Sequence, residues 1–307
     1  SNAGQITVTA ATITSNGGNI TLGGGVDPTT DEAVGTSANV HGVSIGATIS
    51  AGSGNIFIRG KGFDNPSAGF MYGVRIASTL ETSDGNITIY GIGGNGNSNG
   101  IGVFLTSSTG VNTTNGNVNI TGIGGDSYGI MLQSGTDIVS TGSSNITLSG
   151  IKGTGGFGLA VWTSGVIIGG ASATGNIIFN FDDYTFPASP SLNTSGSVTF
   201  APYTASNTIG VAGGAGTTQL TSTILGYVDS RVSKVIIGRS DGTGNITVGT
   251  RSWGSDSLDI LSNTGTITVS GTQTNINAFT INNNNTSSVS TVLDTTIASL
   301  TKTGTGT

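Results

Sequence analysis

Gly85-Asn86-Ile87-Thr88-Ile89 decides the fold, because the same phrase returns along the chain at near-constant intervals. It is preceded by Gly18-Asn19-Ile20-Thr21-Leu22 and Gly54-Asn55-Ile56-Phe57-Ile58. It is followed by Gly116-Asn117-Val118-Asn119-Ile120, Ser144-Asn145-Ile146-Thr147-Leu148 and Gly175-Asn176-Ile177-Ile178-Phe179. The asparagines are 36, 31, 31, 28 and 31 residues apart. Each phrase places two apolar side chains on one face of a short strand of period two. No window holds a sustained 3.6-residue period, and glycine recurs throughout, so helices do not fit.

Working outward, a glycine follows each of the first five asparagines by five residues: Gly24, Gly60, Gly91, Gly122 and Gly150. A second strand comes next in every unit. These strands are Gly42-Val43-Ser44-Ile45, Gly73-Val74-Arg75-Ile76, Gly100-Ile101-Gly102-Val103, Gly129-Ile130-Met131-Leu132 and Gly158-Leu159-Ala160-Val161. A weaker third strand closes units, as in Asp137-Ile138-Val139 and Gly165-Val166-Ile167-Ile168. Three short strands in about 30 residues make one coil of a solenoid. The fold expected is therefore all-β, a right-handed parallel β-helix of roughly 10 coils about 4.8 Å apart. Stacking sets like residues above one another, with Ile, Val and Leu inside. Asn19, Asn55, Asn86, Asn117, Asn145 and Asn176 then form a structural ladder of amides, as stacked Asn does in cross-β assemblies. The glycine before each asparagine is expected to give the corner its backbone freedom.

After Phe179 the pattern breaks at Phe181-Asp182-Asp183-Tyr184-Thr185-Phe186-Pro187. Shorter coils resume at Gly196-Ser197-Val198-Thr199-Phe200, Gly244-Asn245-Ile246-Thr247-Val248 and Gly265-Thr266-Ile267-Thr268-Val269. Residues 225–231 read as one helical turn before Lys234-Val235-Ile236-Ile237. The organisation expected is long coils over 4–179, an irregular junction over 180–204, and shorter coils over 205–307 that stop where another should begin. These form one continuous rod on the order of 50 Å. Ser1-Asn2-Ala3 reads as an expression-tag scar.

Composition limits the function classes. The 307 residues carry 9 Lys and Arg against 15 Asp and Glu, a formal net charge of −6. The basic residues are scattered, so there is no stripe for a nucleic acid. No apolar run reaches the roughly 18 residues that span a bilayer, so membrane insertion of this segment is not expected. There are no cysteines, which removes disulfides and thiolate metal sites.

Candidate sites follow from the columns. Asp27, Asp64 and Asp126, with Asn95 and Thr154 between and after them, recur eight or nine residues after the asparagines. Asp27 and Asp64 on neighbouring coils could chelate a weakly bound calcium ion; no other cofactor is implied. The plainer use of such residues is to bond their own loop backbone. Asp182 and Asp183 are adjacent, would face opposite ways in a strand, and read as a solvated turn. His41 shares a column with Tyr72, Asn99, Tyr128 and Phe157 and reads as a stacking corner residue. Asn19, Asn86, Asn145 and Asn245 begin Asn-x-Thr sequons, which the ladder accounts for without glycosylation. On the outward face of the second strands, Arg75, Gly102, Met131 and Ala160 come first, then Ala77, Phe104, Gln133 and Trp162. Phe104, Met131 and Trp162 thus mark a flat apolar face suited to a sugar ring or another protein, unless a loop folds over it.

These coils resemble the filamentous-haemagglutinin-like large exoproteins, the passengers of two-partner secretion and related autotransporter systems. Val198-Thr199-Phe200-Ala201-Pro202, Leu220-Thr221, the run from Leu225 to Gly238 and Gly244-Asn245-Ile246-Thr247-Val248 follow an order seen in such proteins. The end, from Ser299 to Thr307, resembles the opening of a passenger-associated strand repeat. The resemblance implies secretion to the bacterial surface, adhesion or biofilm roles, and no catalytic residues. The partners it implies are surface glycans or proteins and the adjoining coils of a parent chain. The competing function for a β-helix is a polysaccharide lyase or hydrolase, which needs clustered carboxylates on adjacent coils.

Overall fold

The computed structural model describes residues 4–106, 108–254, 256–291, 293 and 297–307, with the backbone alone at 68, 97 and 98. The expected tag residues Ser1-Asn2-Ala3 lie outside these. The strands pair in parallel and stack in sequence order, which is the architecture of a parallel β-helix. The chain divides into two compact units, the first reaching Gly175 and taking in Thr185–Ser191, the second formed by Asn176–Tyr184 and Leu192–Thr307.

In the first unit each coil contributes to three main sheets, and Asn65–Gly69 pairs with Gly96–Ser98 as a further two-stranded sheet. The asparagine sheet stacks Ile20–Leu22, Ile56–Lys61, Ile87–Ile92, Val118–Ile123 and Ile146–Ile151. The second sheet stacks Ile6–Val8, Val43–Ile45, Val74–Ile76, Val103–Leu105, Ile130–Leu132 and Leu159–Val161. The third runs from Ile13–Thr14 through Ile49–Ser50, Thr79–Glu81, Gly110–Thr113 and Asp137–Ser140 to Ile167–Gly169. Alternate residues point inward, so Ile56, Ile58, Ile87, Ile89, Val118 and Ile120 are fully buried. Each such side chain stabilises the coil by about 1.5–3 kcal/mol.

The asparagine column works differently from an amide ladder. Asn19 Oδ1 accepts the backbone N–H of Asn55 at 2.9 Å, Asn55 that of Asn86 at 2.8 Å, Asn86 that of Asn117 at 2.8 Å, and Asn117 that of Asn145 at 2.9 Å. Each side chain therefore caps an amide of the following coil at a corner, where the sheet ladder has lapsed. A bond between two of these side chains accompanies it at Asn19–Asn55, 3.1 Å. Asn176, in the second unit, caps Ser197 N in the same way at 3.0 Å.

The preceding glycines are there for space, not for freedom. A Cβ on Gly85 would lie 1.9 Å from the carbonyl oxygen of Gly54, and one on Gly116 would lie 1.8 Å from that of Gly85. Neither has a positive φ. The next glycine column meets the second strands equally closely: a Cβ on Gly91 would lie 2.0 Å from Gly102 O. Backbone passes over backbone at these corners, so no side chain fits between them.

One register expectation fails. Val103 pairs with Val74 and Ile130, and Phe104 with Arg75 and Met131. The second strand of that coil is thus Gly102-Val103-Phe104-Leu105, two residues later than expected. Gly100-Ile101-Gly102-Val103 offers the glycine-aliphatic phrase twice, and only the neighbouring coils select the second.

In the second unit the main sheet stacks Ile177–Phe181, Ser197–Ala201, Lys234–Gly238, Ser257–Leu261, Ala278–Asn282 and Ser299–Thr303. Another sheet holds Thr218–Leu220, Ile209–Val211, Ile246–Val248, Ile267–Val269 and Ser287–Val289. Ile246–Val248 therefore does not continue the series of Ser197–Ala201, and Asn245 is not in the column of Asn19. It makes the same bond on its own sheet, accepting from Thr266 N at 2.8 Å. The interior here is aromatic: Phe179 stacks on Phe200 at 5.4 Å, and Tyr184 meets Phe181 edge-on at 5.6 Å. Asp182 ties this region down, its carboxylate accepting Thr204 N and Oγ1 at 2.8 and 2.6 Å. The helical turn is Ser222–Leu225, earlier than expected, because Thr221 caps it by accepting from Ile224 N at 3.2 Å.

Candidate binding face

The outward side of the second sheet in the first unit gathers the aromatic residues. The backbone bonds from Gly42 N to Tyr72 O, Gly73 N to Ile101 O, Gly102 N to Tyr128 O and Gly129 N to Phe157 O define one column. It reads His41, Tyr72, Ile101, Tyr128, Phe157, with Ile101 where Asn99 was expected. His41 stacks on Tyr72 with ring centroids 4.7 Å apart and planes 11° from parallel. Burial, helped by the Arg75 charge, lowers the His41 pKa to about 4, so this imidazole is neutral at physiological pH.

The corrected register changes the expected face. Phe104 sits beside Met131 in the sheet and under Tyr72, 4.8 Å away, and only 8% of it is exposed. Tyr72, Ile101 and Phe104 form a closed apolar cluster, with Tyr128 and Met131 packed against it. Phe104 is therefore a packing residue and Met131 is half-covered. Trp162, whose amide bonds Leu132 O, is 40% exposed, and Phe157 is 38% exposed. Tyr128 stacks with Phe157 at 6.4 Å, 10° from parallel, and meets Trp162 edge-on at 5.9 Å. Phe157 and Trp162, joined through half-buried Tyr128, are thus one open part of the face; Phe70, 58% exposed and edge-on to Tyr72 at 6.3 Å, is another. Phe157 and Tyr128 were legible as a column, but the contact of Tyr128 with Trp162 joins residues 34 positions apart in the chain.

The aspartates act on loops. Asp27 Oδ1 accepts from Thr29 N at 2.9 Å and Thr29 Oγ1 at 2.6 Å, and these bonds hold its pKa below the ordinary carboxylate value. Asp64 Oδ1 accepts Asn95 N at 2.8 Å, and its Oδ2 lies 3.4 Å from Lys61 Nζ. Burial pulls the Asp64 pKa up, but the Asn95 amide and Lys61 outweigh it, so the pKa stays below the ordinary value. Asp126 Oδ1 accepts Gly100 N at 2.5 Å and its Oδ2 accepts Gly96 N at 3.2 Å. Asp64 and Asp126 thus grip residues 95–100 from the two flanking coils. Among the described residues no three His, Asp or Glu side chains gather as a metal site would require.

Among the described residues of this unit, two depressions bear on function. One, of about 430 Å³, lies beside Tyr128 and is lined by Asn99, Asp126, Ser127, Thr154 and Gly155 among others. The other, of about 530 Å³, runs along the third sheet past Ser50, Glu81, Asn112 and Val139. Glu81 is the one carboxylate among its described lining residues, whereas glycoside cleavage by acid and base uses a pair.

No family model, curated protein or solved structure matches this chain. The fold and this face define a parallel β-helix repeat protein with an aromatic outward patch.

Proposed function

We propose that this chain is a structural and adhesive segment of a large secreted bacterial surface protein, presenting a binding face rather than performing catalysis. The observation that carries the reading is the Tyr128–Phe157–Trp162 group, with Phe157 and Trp162 exposed, on a charge-poor chain. Rigid aromatic groups of this kind give contact area at little entropic cost. The aspartates support the reading, since Asp27, Asp64 and Asp126 accept from loop amides and a hydroxyl, and Asp64 also pairs with a lysine. The resemblance of the repeat phrases to exoprotein passengers supports secretion and surface display. The test is adhesion of beads coated with the chain to bacterial and epithelial cells, run beside incubation with pectin, alginate and glycosaminoglycans. Adhesion without release of unsaturated or reducing ends is expected. Product release that is lost in Asp126→Asn or Asp64→Asn would replace this reading with a carbohydrate-active enzyme.

A further inference from the structure

We infer that the aromatic group and the 430 Å³ depression beside it are one saccharide-binding site, selective for uncharged sugars; this rests on the adhesive reading above. Tyr128 belongs to both halves, lining the depression while stacking with Phe157 and meeting Trp162. A pyranose ring has apolar C–H faces and a rim of hydroxyls, so it needs aromatic surface on one side and fixed hydrogen-bonding groups at its edge. The Asp126 carboxylate supplies the edge. Gly100 N and Gly96 N each hold one of its oxygens in place. Each oxygen keeps a further acceptor position for a hydroxyl. The Ser127 and Thr154 hydroxyls are further polar groups along the same lining.

Charge sets the selectivity. The described lining holds a carboxylate and no Lys, Arg or His. A uronic acid or a sulfated sugar would bring its anion against Asp126 with no cation in the described lining to compensate. Neutral hexoses and N-acetylhexosamines meet no such penalty.

The experiment is titration of the full chain with the trimers of β-1,4-linked glucose, β-1,4-linked N-acetylglucosamine and α-1,4-linked glucose. Trigalacturonate and a sulfated heparin trisaccharide serve as anionic comparators. Binding is read by saturation-transfer NMR and by tryptophan fluorescence. At least one neutral trimer should bind, tenfold or more weakly to Trp162→Ala and to Phe157→Ala, and unchanged to Tyr203→Ala, an exposed aromatic of the second unit. Circular dichroism of each variant separates lost binding from lost folding. Binding that survives both aromatic replacements, or preference for the anionic trimers, overturns the site. If no trimer binds while Trp162→Ala still abolishes cell adhesion, the sugar assignment falls and the adhesive reading stands. If a neutral trimer binds as described but adhesion is unaffected by its loss, the site stands and the adhesive reading falls.

Discussion

In the first unit, residues 93–102, which include the short strand Gly96–Ser98, connect the asparagine strand Ile87–Ile92 to Val103–Leu105 of the second sheet; in the second unit, 262–266 make the corresponding step from Ser257–Leu261 to Ile267–Val269. The other two connections hardly differ, 106–109 and 114–117 against 270–272 and 275–277. The long coil therefore places half of its additional residues at one corner. That corner carries Asn95, gripped by Asp64, and it carries Asn99 and Ile101, while the same corner of neighbouring coils carries Asp126, Tyr128 and Phe157. The short coil has no room for such a loop and closes its interior with large rings, as at Phe279, which pairs with Leu258 and Leu300.

The largest effect expected from breaking this comparison is in the shared core. Ile87→Asp would bury an unpaired carboxylate among fully buried neighbours and should cost about 4 kcal/mol or more, enough to unfold the first unit. Denaturant unfolding followed by circular dichroism checks this. An unaltered midpoint would remove Ile87 from the interior.

Gly85→Ala comes next. Its Cβ would have to displace the Gly54 carbonyl, which is backbone and cannot rotate away. A loss of about 2–3 kcal/mol is expected, of the size seen for overpacking. An alanine tolerated at no cost would return the glycine column to the role of conformational freedom that the sequence first suggests.

Acid separates the two units. His41, held neutral in the fold, contributes stability that is present above its unfolded pKa near 6.5 and is lost as pH falls toward about 4. Burial raises the Asp256 pKa to about 6 against the pull of Arg251. That group contributes stability present below the unfolded value near 3.8 and lost as pH rises through about 6. Between pH 4 and 6 the groups act in opposite directions. Hydrogen exchange, corrected for intrinsic rates and read peptide by peptide, should lose protection around His41 on acidification. Around Trp253 and Asp256 it should gain. His41→Phe and Asp256→Asn should each flatten the local response. A response in the same direction at both places would contradict the assignment.

The smallest effect compares the asparagines. Asn86→Ala and Asn245→Ala each remove one acceptor from a backbone amide near solvent, and each should cost about 1 kcal/mol. Equal losses in thermal melts would mean the cap works alike on both sheets. A much larger loss at Asn86 would point to cooperation along the column.

Much of the fold was legible because stacking repeats residues in columns. Asn19 through Asn145 and Ile56 through Ile146 need only their spacing to be placed. The sequence fails where a coil offers two equivalent phrases. Gly100-Ile101-Gly102-Val103 could align either way; both alignments turn Phe104 outward, and it is the Tyr72 ring lying over it that closes it off. Asn245 failed similarly, since Gly-Asn-Ile fits any corner of a solenoid and only strand pairing assigns the sheet. The proposed binding face was half legible: Trp162 and the His41 column could be read, but the segment from Asn95 to Gly100, with its strand Gly96–Ser98 and its two aspartate grips, depends on contacts between coils.

The account is tested most directly by a single adhesion measurement on three folded proteins: the native chain, a Phe157→Ser, Trp162→Ser variant of the long-coil face, and a Tyr203→Ser variant of the short-coil unit. Bead attachment to cells under flow should fall at least tenfold in the first variant and stay at the native level in the second, with circular dichroism unchanged in both. Attachment retained by the Phe157, Trp162 variant, or lost equally in both, would contradict the claim that the binding face lies at the enlarged corners of the long coils.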